Sequence, residues 1–252
     1  MKRLRVLGLC FMAVVALSLS AIQQQTLVVN EAEADTNVQP GQHYSSGFLP
    51  RMVLELNSVG AKTEEQYAEQ ISRWREVNSD VIGYIDIPEL GINYPVLQGV
   101  DNKQYLRTSI YNEYDVAGCI FLDANYPDIY SPVKLIHGHN MSNGTMFGKL
   151  PQMLKWETLD EAPHVFYTDD LGTKEFQIFS VFSVNAEEEG VIVSQYLLMD
   201  QLEAYKESYI ERSWVPMSEI PDSTELLMLN TCWYGESGRE HFLHCIVVAA
   251  RV

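Results

Sequence analysis

The chain opens on one long apolar stretch and then changes rhythm. From Val6 to Ile22 there are seventeen apolar or small residues without a charge, directly after the cations Lys2, Arg3 and Arg5. Such a run lies between a signal-peptide core and a membrane span, which takes about 17–25 residues. The basic flank keeps the N-terminus cytoplasmic, so the remainder faces outward. Ala32-Glu33-Ala34 has the form of a cleavage site but lies farther downstream than a signal peptidase usually cuts. Residues 1–34 are therefore expected to be an uncleaved single-pass anchor, with a cleaved signal as the alternative; either way the body is exported. Cys10 follows the bulky Leu9 very early in the chain and is not expected to carry a lipid.

Residues 35–50 are polar and punctuated by Gly and Pro, the composition of a linker, leaving 51–252 as one domain. Thr63-Glu64-Glu65-Gln66 is a capping box followed by Tyr67, Ile71 and Trp74 at helical spacing, which predicts a helix ending near Asn78. Short strand-like runs then dominate: Ile82–Ile87, Ile92–Leu97, Cys119–Leu122, Val133–Ile136, Val165–Thr168, Glu175–Val184, Leu226–Asn230 and Phe242–Ala249. Gly, Pro, Asn and Asp separate most of them, as a mainly β, mostly antiparallel barrel or sandwich requires. A second capping box, Asp200-Gln201-Leu202-Glu203, with Leu202, Tyr205 and Tyr209 behind it, predicts a helix to about Arg212 inserted between two late strands.

Composition narrows the function. With 46% hydrophobic residues the 252-residue chain has enough apolar side chains for a sizeable core and is no disordered polymer. The formal charge of −17 argues against nucleic acid as a partner, because phosphate recognition needs an excess of Lys and Arg. Without Lys2, Arg3 and Arg5 the imbalance is larger, 14 basic against 34 acidic residues. Such a surface disfavours close adsorption to anionic lipid.

Four cysteines are too few for a disulfide scaffold, and the three beyond the membrane segment, Cys119, Cys232 and Cys245, leave at least one thiol free. Cys119 and Cys245 sit in apolar strand contexts and read as buried small hydrophobes. Cys232 ends the run from Leu226, where a strand meets a turn and can present a side chain. His137-Gly138-His139-Asn140 likewise comes directly after the strand ending at Ile136. A thiolate nucleophile needs an imidazole nearby to take its proton and later give one to the leaving amine. A positive donor must then meet the oxyanion. Arg239, seven residues after Cys232, is near enough in sequence for a hairpin to return it to the thiol. A metal site is the competing use of His137, His139, His241, His244, Cys232 and Cys245, but no C-x-x-C or H-E-x-x-H spacing occurs, so no metal or cofactor is expected. His43 and His164 read as solvated.

Several ordered stretches within residues 50–252 resemble one family, the class B sortases. The strongest is Leu135-Ile136-His137-Gly138-His139-Asn140-Met141 with Met146-Phe147 and Leu150; Leu229-Asn230-Thr231-Cys232 is similar to the L-x-T-C end of the family's T-L-x-T-C motif. Asn78–Ile85, Tyr94–Gly99 and Gly118–Asp123 add to the resemblance, and the helices near 63–78 and 200–212 separate class B from the smaller class A. The resemblance implies an eight-stranded sortase-type β-barrel and a cysteine transpeptidase. In it Cys232 would be the nucleophile, His139 the general acid and base, Arg239 the oxyanion donor, and Thr231, His137 and Asn140 substrate-binding residues.

The implied partners are exported surface proteins with an Asn-Pro-x-Thr-Asn-like C-terminal sorting signal, a peptidoglycan precursor or pilin amine as acceptor, and the cytoplasmic membrane through the N-terminal segment. Three positions depart from the family pattern. Met228 stands for the first Thr of the motif, and His137 for the Tyr that often precedes Gly-His-Asn. Cys245 stands where an arginine usually runs into the last strand, so His241 and His244 are alternatives to Arg239 as donor. Other functions to weigh are pilin polymerisation, a sorting-signal binding protein with weak catalysis, and an exported metal-binding protein.

Overall fold

The computed structural model describes residues 61–185, 187–188, 199–235, 238 and 243–252. The expectations for Val6–Ile22, Cys10, Ala32–Ala34, the linker 35–50, His43, Arg239 and His241 lie outside the described residues. Among the described residues no helix is long and apolar enough to cross a membrane.

Helix α1 spans Glu64–Val77 and begins as its sequence predicts. The Thr63 hydroxyl accepts the Gln66 backbone N–H at 3.3 Å and the Gln66 side chain accepts the Thr63 N–H at 2.8 Å, a reciprocal cap for two otherwise unpaired donors. Its face of Tyr67, Ile71 and Trp74 is buried, one turn above another, in a cluster with Val81, Tyr84, Leu97, Tyr105 and Phe121 on the outside of the barrel. Just before the helix, Lys62 Nζ bonds Asp86 Oδ2 at 2.6 Å and the Tyr67 hydroxyl donates to the same oxygen at 3.0 Å. This buried set pins the helix start to the first strand.

The strands are β1 (Val81–Ile87), β2 (Ile92–Gln98), β3 (Ile120–Leu122), β4 (Val133–His137), β5 (His164–Asp169), β6 (Gly172–Asn185), β7 (Leu226–Trp233) and β8 (Leu243–Arg251). They close into a barrel in the order β1-β2-β3-β4-β7-β8-β6-β5. All neighbours are antiparallel except β2–β3 and β4–β7, which are parallel. A bulge between Val81 and Gly83 explains why β1 serves two cores. It shifts the two-residue alternation, so Val81 and Tyr84 face α1 while Ile82, Ile85 and Ile87 face the barrel interior.

Helix α2 (Met199–Arg212) falls between β6 and β7 in the chain and packs on β6. Tyr209 stacks on Phe182 with ring centroids 5.9 Å apart, and Ser180 Oγ donates to the Tyr209 carbonyl at 2.6 Å. Asp200 is already helical, one residue inside the start, rather than the cap that its spacing to Glu203 predicts. Two further expectations change. His164 is not simply solvated: it opens β5 and its Nδ1 meets the Glu175 carboxylate across the β5–β6 ladder. The strand β7 runs on to Trp233, so Cys232 is a paired strand residue and not the first residue of a turn.

Candidate active site

The parallel pairing of β4 with β7 builds the site. Its register sets Ile136 beside Leu229 and His137 beside Asn230, so both strands finish at the same rim of the barrel. The residues after His137 therefore run alongside those after Asn230. Gly138 N–H donates to the Asn230 carbonyl at 3.1 Å, and Asn140 Nδ2 donates to the Cys232 carbonyl at 2.9 Å. His139 lies between those two ties. Although far apart in sequence, Cys232 and His139 are held on adjacent strand ends by main-chain geometry.

The turn carrying His139 is closely packed. A Cβ on Gly138 would lie 2.4 Å from Ile120 Cδ1 and 2.7 Å from Phe147 Cδ2, so only glycine fits between the two histidines. Beyond it the chain folds back: Phe147 N–H donates to the His139 carbonyl at 3.0 Å and Asn140 bridges Met146. Met146 adopts φ +54°, uncommon for a side chain of its size, with its N–H donating to the Tyr94 hydroxyl at 3.1 Å.

The His139 ring is oriented from a third direction. Its Nε2 lies 2.7 Å from the Leu106 carbonyl oxygen. A carbonyl only accepts, so this nitrogen carries the hydrogen, and Nδ1 is left as the nitrogen that takes or gives a proton. The next residue, Arg107, donates from Nη1 to the Val116 carbonyl at 2.8 Å.

The three described thiols are all free and differ sharply in surroundings. Cys119 and Cys245 are buried, as their strand contexts predict, and burial pushes both up to about 12. Cys232 is half-buried at the rim. Burial raises its thiol too, while the positive charge of Arg107 pulls it partly back. Across the β7–β8 ladder Cys232 pairs with His244, whose ring is held below its ordinary range first by burial and then by the charge of His137. Thr231 pairs with Cys245; it is 2% exposed and its hydroxyl oxygen has no partner.

His137 ends β4 in a polar relay that the sequence does not announce. Its Nε2 bonds Asp123 Oδ2 at 2.8 Å, and the Asn230 amide donates to its Nδ1 at 3.0 Å. Burial pushes the Asp123 carboxyl up, but hydrogen bonds from His137, the Asn125 backbone and Asn102 outweigh it and hold the group at about 2. Asp123, Asn230 and Arg107 were not legible as site residues, because each reaches the rim from a different element; His244, an alternative donor in the sequence, faces Cys232 across the ladder. Arg239 and His241 lie outside the described residues. Among the described residues no three His, Cys, Asp or Glu side chains gather to hold a metal ion.

A Sortase domain family model matches residues 85–252, from within β1 to the C-terminus. Sortase B of Listeria monocytogenes is 29% identical over 138 residues, 54% of this chain and 56% of that protein. The chain thus matches little more than half the length of that relative. The crystal structure of Clostridium perfringens sortase B is 27% identical, with a TM-score of 0.64 over 72% of this chain and 98% of that one. A Staphylococcus aureus sortase B–substrate complex, 22% identical, shares the fold with a TM-score of 0.66 over 81% of this chain and 93% of that one. A match that starts in the first strand, reaches the last residue and sits on a barrel shared with these structures gives the family: the chain belongs to the sortases, in their class B.

Proposed function

We propose that this protein is a cysteine transpeptidase that cuts a C-terminal sorting signal of exported proteins and joins the new end to an amine. The observation that carries this reading is the parallel β4–β7 register, which brings the turn of His139 against the strand of Cys232. Cys232 is also the one described thiol not enclosed in the core.

In the proposed reaction the Cys232 proton passes to His139 Nδ1 as sulfur attacks the peptide carbonyl. A C–S bond forms and the carbonyl electrons move to oxygen, where Arg239 is the proposed donor to the oxyanion. Collapse breaks the C–N bond, and His139 returns the proton to the departing amine, leaving a thioester. His139 then takes a proton from an incoming amine as its nitrogen attacks. An amide forms, the C–S bond breaks and the thiol is restored. Nothing beyond the two substrates is consumed, and no cofactor enters.

The signal is proposed to be Asn-Pro-x-Thr-Asn-like, and the acceptor a peptidoglycan-precursor amine or, in a pilin-polymerising variant, a pilin lysine. Thr231, His137 and Asn140 are assigned to binding the signal, and the N-terminal segment to holding the domain outside the cytoplasmic membrane. A solved Staphylococcus aureus sortase B complex with a substrate supports a peptide groove on this fold.

The test is cleavage of fluorogenic sorting-signal peptides by detergent-solubilised full-length protein, with and without added amines. Cys232→Ala is expected to abolish cleavage, and Arg239→Ala to slow it by roughly 100- to 1,000-fold, the usual effect of a lost oxyanion donor. Cleavage that persists in Cys232→Ala overturns the thiol mechanism. Peptide binding without cleavage by the unmodified protein would make it a signal-binding module instead.

A further inference from the structure

We propose that Arg107 is the counter-charge of the Cys232 thiolate, a cation supplied by the loop between β2 and β3. The proposal rests on Cys232 being the nucleophile. The loop is built against the rim. The Leu106 carbonyl holds the His139 ring at 2.7 Å, so the next residue in the chain is placed beside the same site. The guanidinium is steadied by its bond to the Val116 carbonyl, and Asp115 N–H donates to the Arg107 carbonyl at 3.0 Å. Thr108 bridges Tyr114, and Cys119 Sγ donates to the Thr108 carbonyl at 3.3 Å, tying the loop to the start of β3.

The need for such a charge arises from the surroundings of the sulfur. A half-buried thiol is disfavoured as thiolate, and a neighbouring cation offsets that cost. The described elements around Cys232 are poor in cations. The β8 strand presents His244, held neutral by burial, and then the enclosed Cys245. The β4 turn presents His139, which must be neutral to accept the proton. His137 is at the strand end, with its Nε2 bonded to the Asp123 carboxylate and its Nδ1 accepting from the Asn230 amide. The segment 236–242 carries Glu236, Arg239, Glu240 and His241 in sequence. Of the described side chains Arg107 is the cation whose field reaches the sulfur and favours its ionised form.

The experiment tracks alkylation of Cys232 by iodoacetamide against pH in the full-length protein, with the modified peptide identified by mass spectrometry. This readout is independent of turnover. Arg107→Ala is expected to slow alkylation at pH 7 by about tenfold and move the profile upward by about one pH unit. Arg107→Gln keeps donors for the Val116 carbonyl and is expected to behave like Arg107→Ala; Arg107→Lys is expected to stay near the unmodified protein. Arg107 is exposed, so melting temperatures should be unchanged across the series. An unmoved profile in Arg107→Gln overturns the proposal, as does an Arg107→Lys variant as slow as Arg107→Ala. A profile moved by Arg239→Ala and not by Arg107→Ala assigns the charge to Arg239. If Cys232→Ala still cleaves peptide, the underlying mechanism fails first, whatever the alkylation series gives.

Discussion

Gly138→Ala asks how much of the activity depends on close packing beneath the His139 turn. The added Cβ would stand 2.4 Å from Ile120 Cδ1 and 2.7 and 2.9 Å from Phe147 Cδ2 and Cγ. Carbon atoms pack at about 3.5–4.0 Å, so something must move by about 1 Å. Ile120 and Phe147 are 1% and 0% exposed, so neither can swing out to solvent without leaving the core. Overpacking of this kind costs about 1–3 kcal/mol. For a chain of this size that lowers the melting temperature by roughly 2–12 °C.

The larger effect is expected on turnover. The turn is half-exposed where Ile120 and Phe147 are enclosed, so the shift falls on the turn, and a catalytic group misplaced by about 1 Å loses on the order of 100-fold in rate. Thermal melting and peptide cleavage, measured on the same preparation, read the two effects separately. Ile120→Val deletes the Cδ1 atom at the shortest contact and by itself should cost about 0.5–1.5 kcal/mol. Combined with Gly138→Ala it should recover part of both losses, a favourable coupling in a double-mutant cycle. A Gly138→Ala variant that melts and turns over like the unmodified protein refutes the reasoning, and absence of coupling to Ile120 shows that the strain lies elsewhere.

Two other perturbations read neighbouring contacts. The Asp123 carboxyl sits at about 2 in the folded chain against an ordinary 3.8. Its contribution to stability, about 1–2 kcal/mol, is therefore complete above pH 3.8 and disappears as pH falls toward 2. Urea unfolding of the unmodified protein should thus lose more between pH 5 and 2 than that of Asp123→Asn; identical pH dependence would remove the His137–Asp123 pair as the cause. Asn140→Ala deletes the bond to the Cys232 carbonyl and should cost about 1 kcal/mol in urea unfolding. Its kcat should fall by more than that loss accounts for, because His139 loses one of its two ties to β7; an unchanged kcat would make the tie dispensable.

The sequence by itself carried whatever depends on neighbours a few residues apart. The reciprocal cap of Thr63 and Gln66 and the buried face of α1 need only a 3.6-residue period and the right first turn. Strand locations were set by short apolar runs between turn residues, and the enclosure of Cys119 and Cys245 by the apolar residues beside them. Cys232 and His139 stood out because reactive residue types occurred at strand ends within recognisable motifs. Long-range pairing was not written locally. The parallel match of β4 with β7 joins segments far apart in the chain, and only closing the barrel decides it. The same closure carries β7 one residue past Cys232, pairs His164 with Glu175, and brings Asp123 to His137 and the Leu106 carbonyl to the His139 ring. Those side chains have ordinary local sequence surroundings. Their environment, and so their charge, is fixed by which strand ends the folded barrel places together.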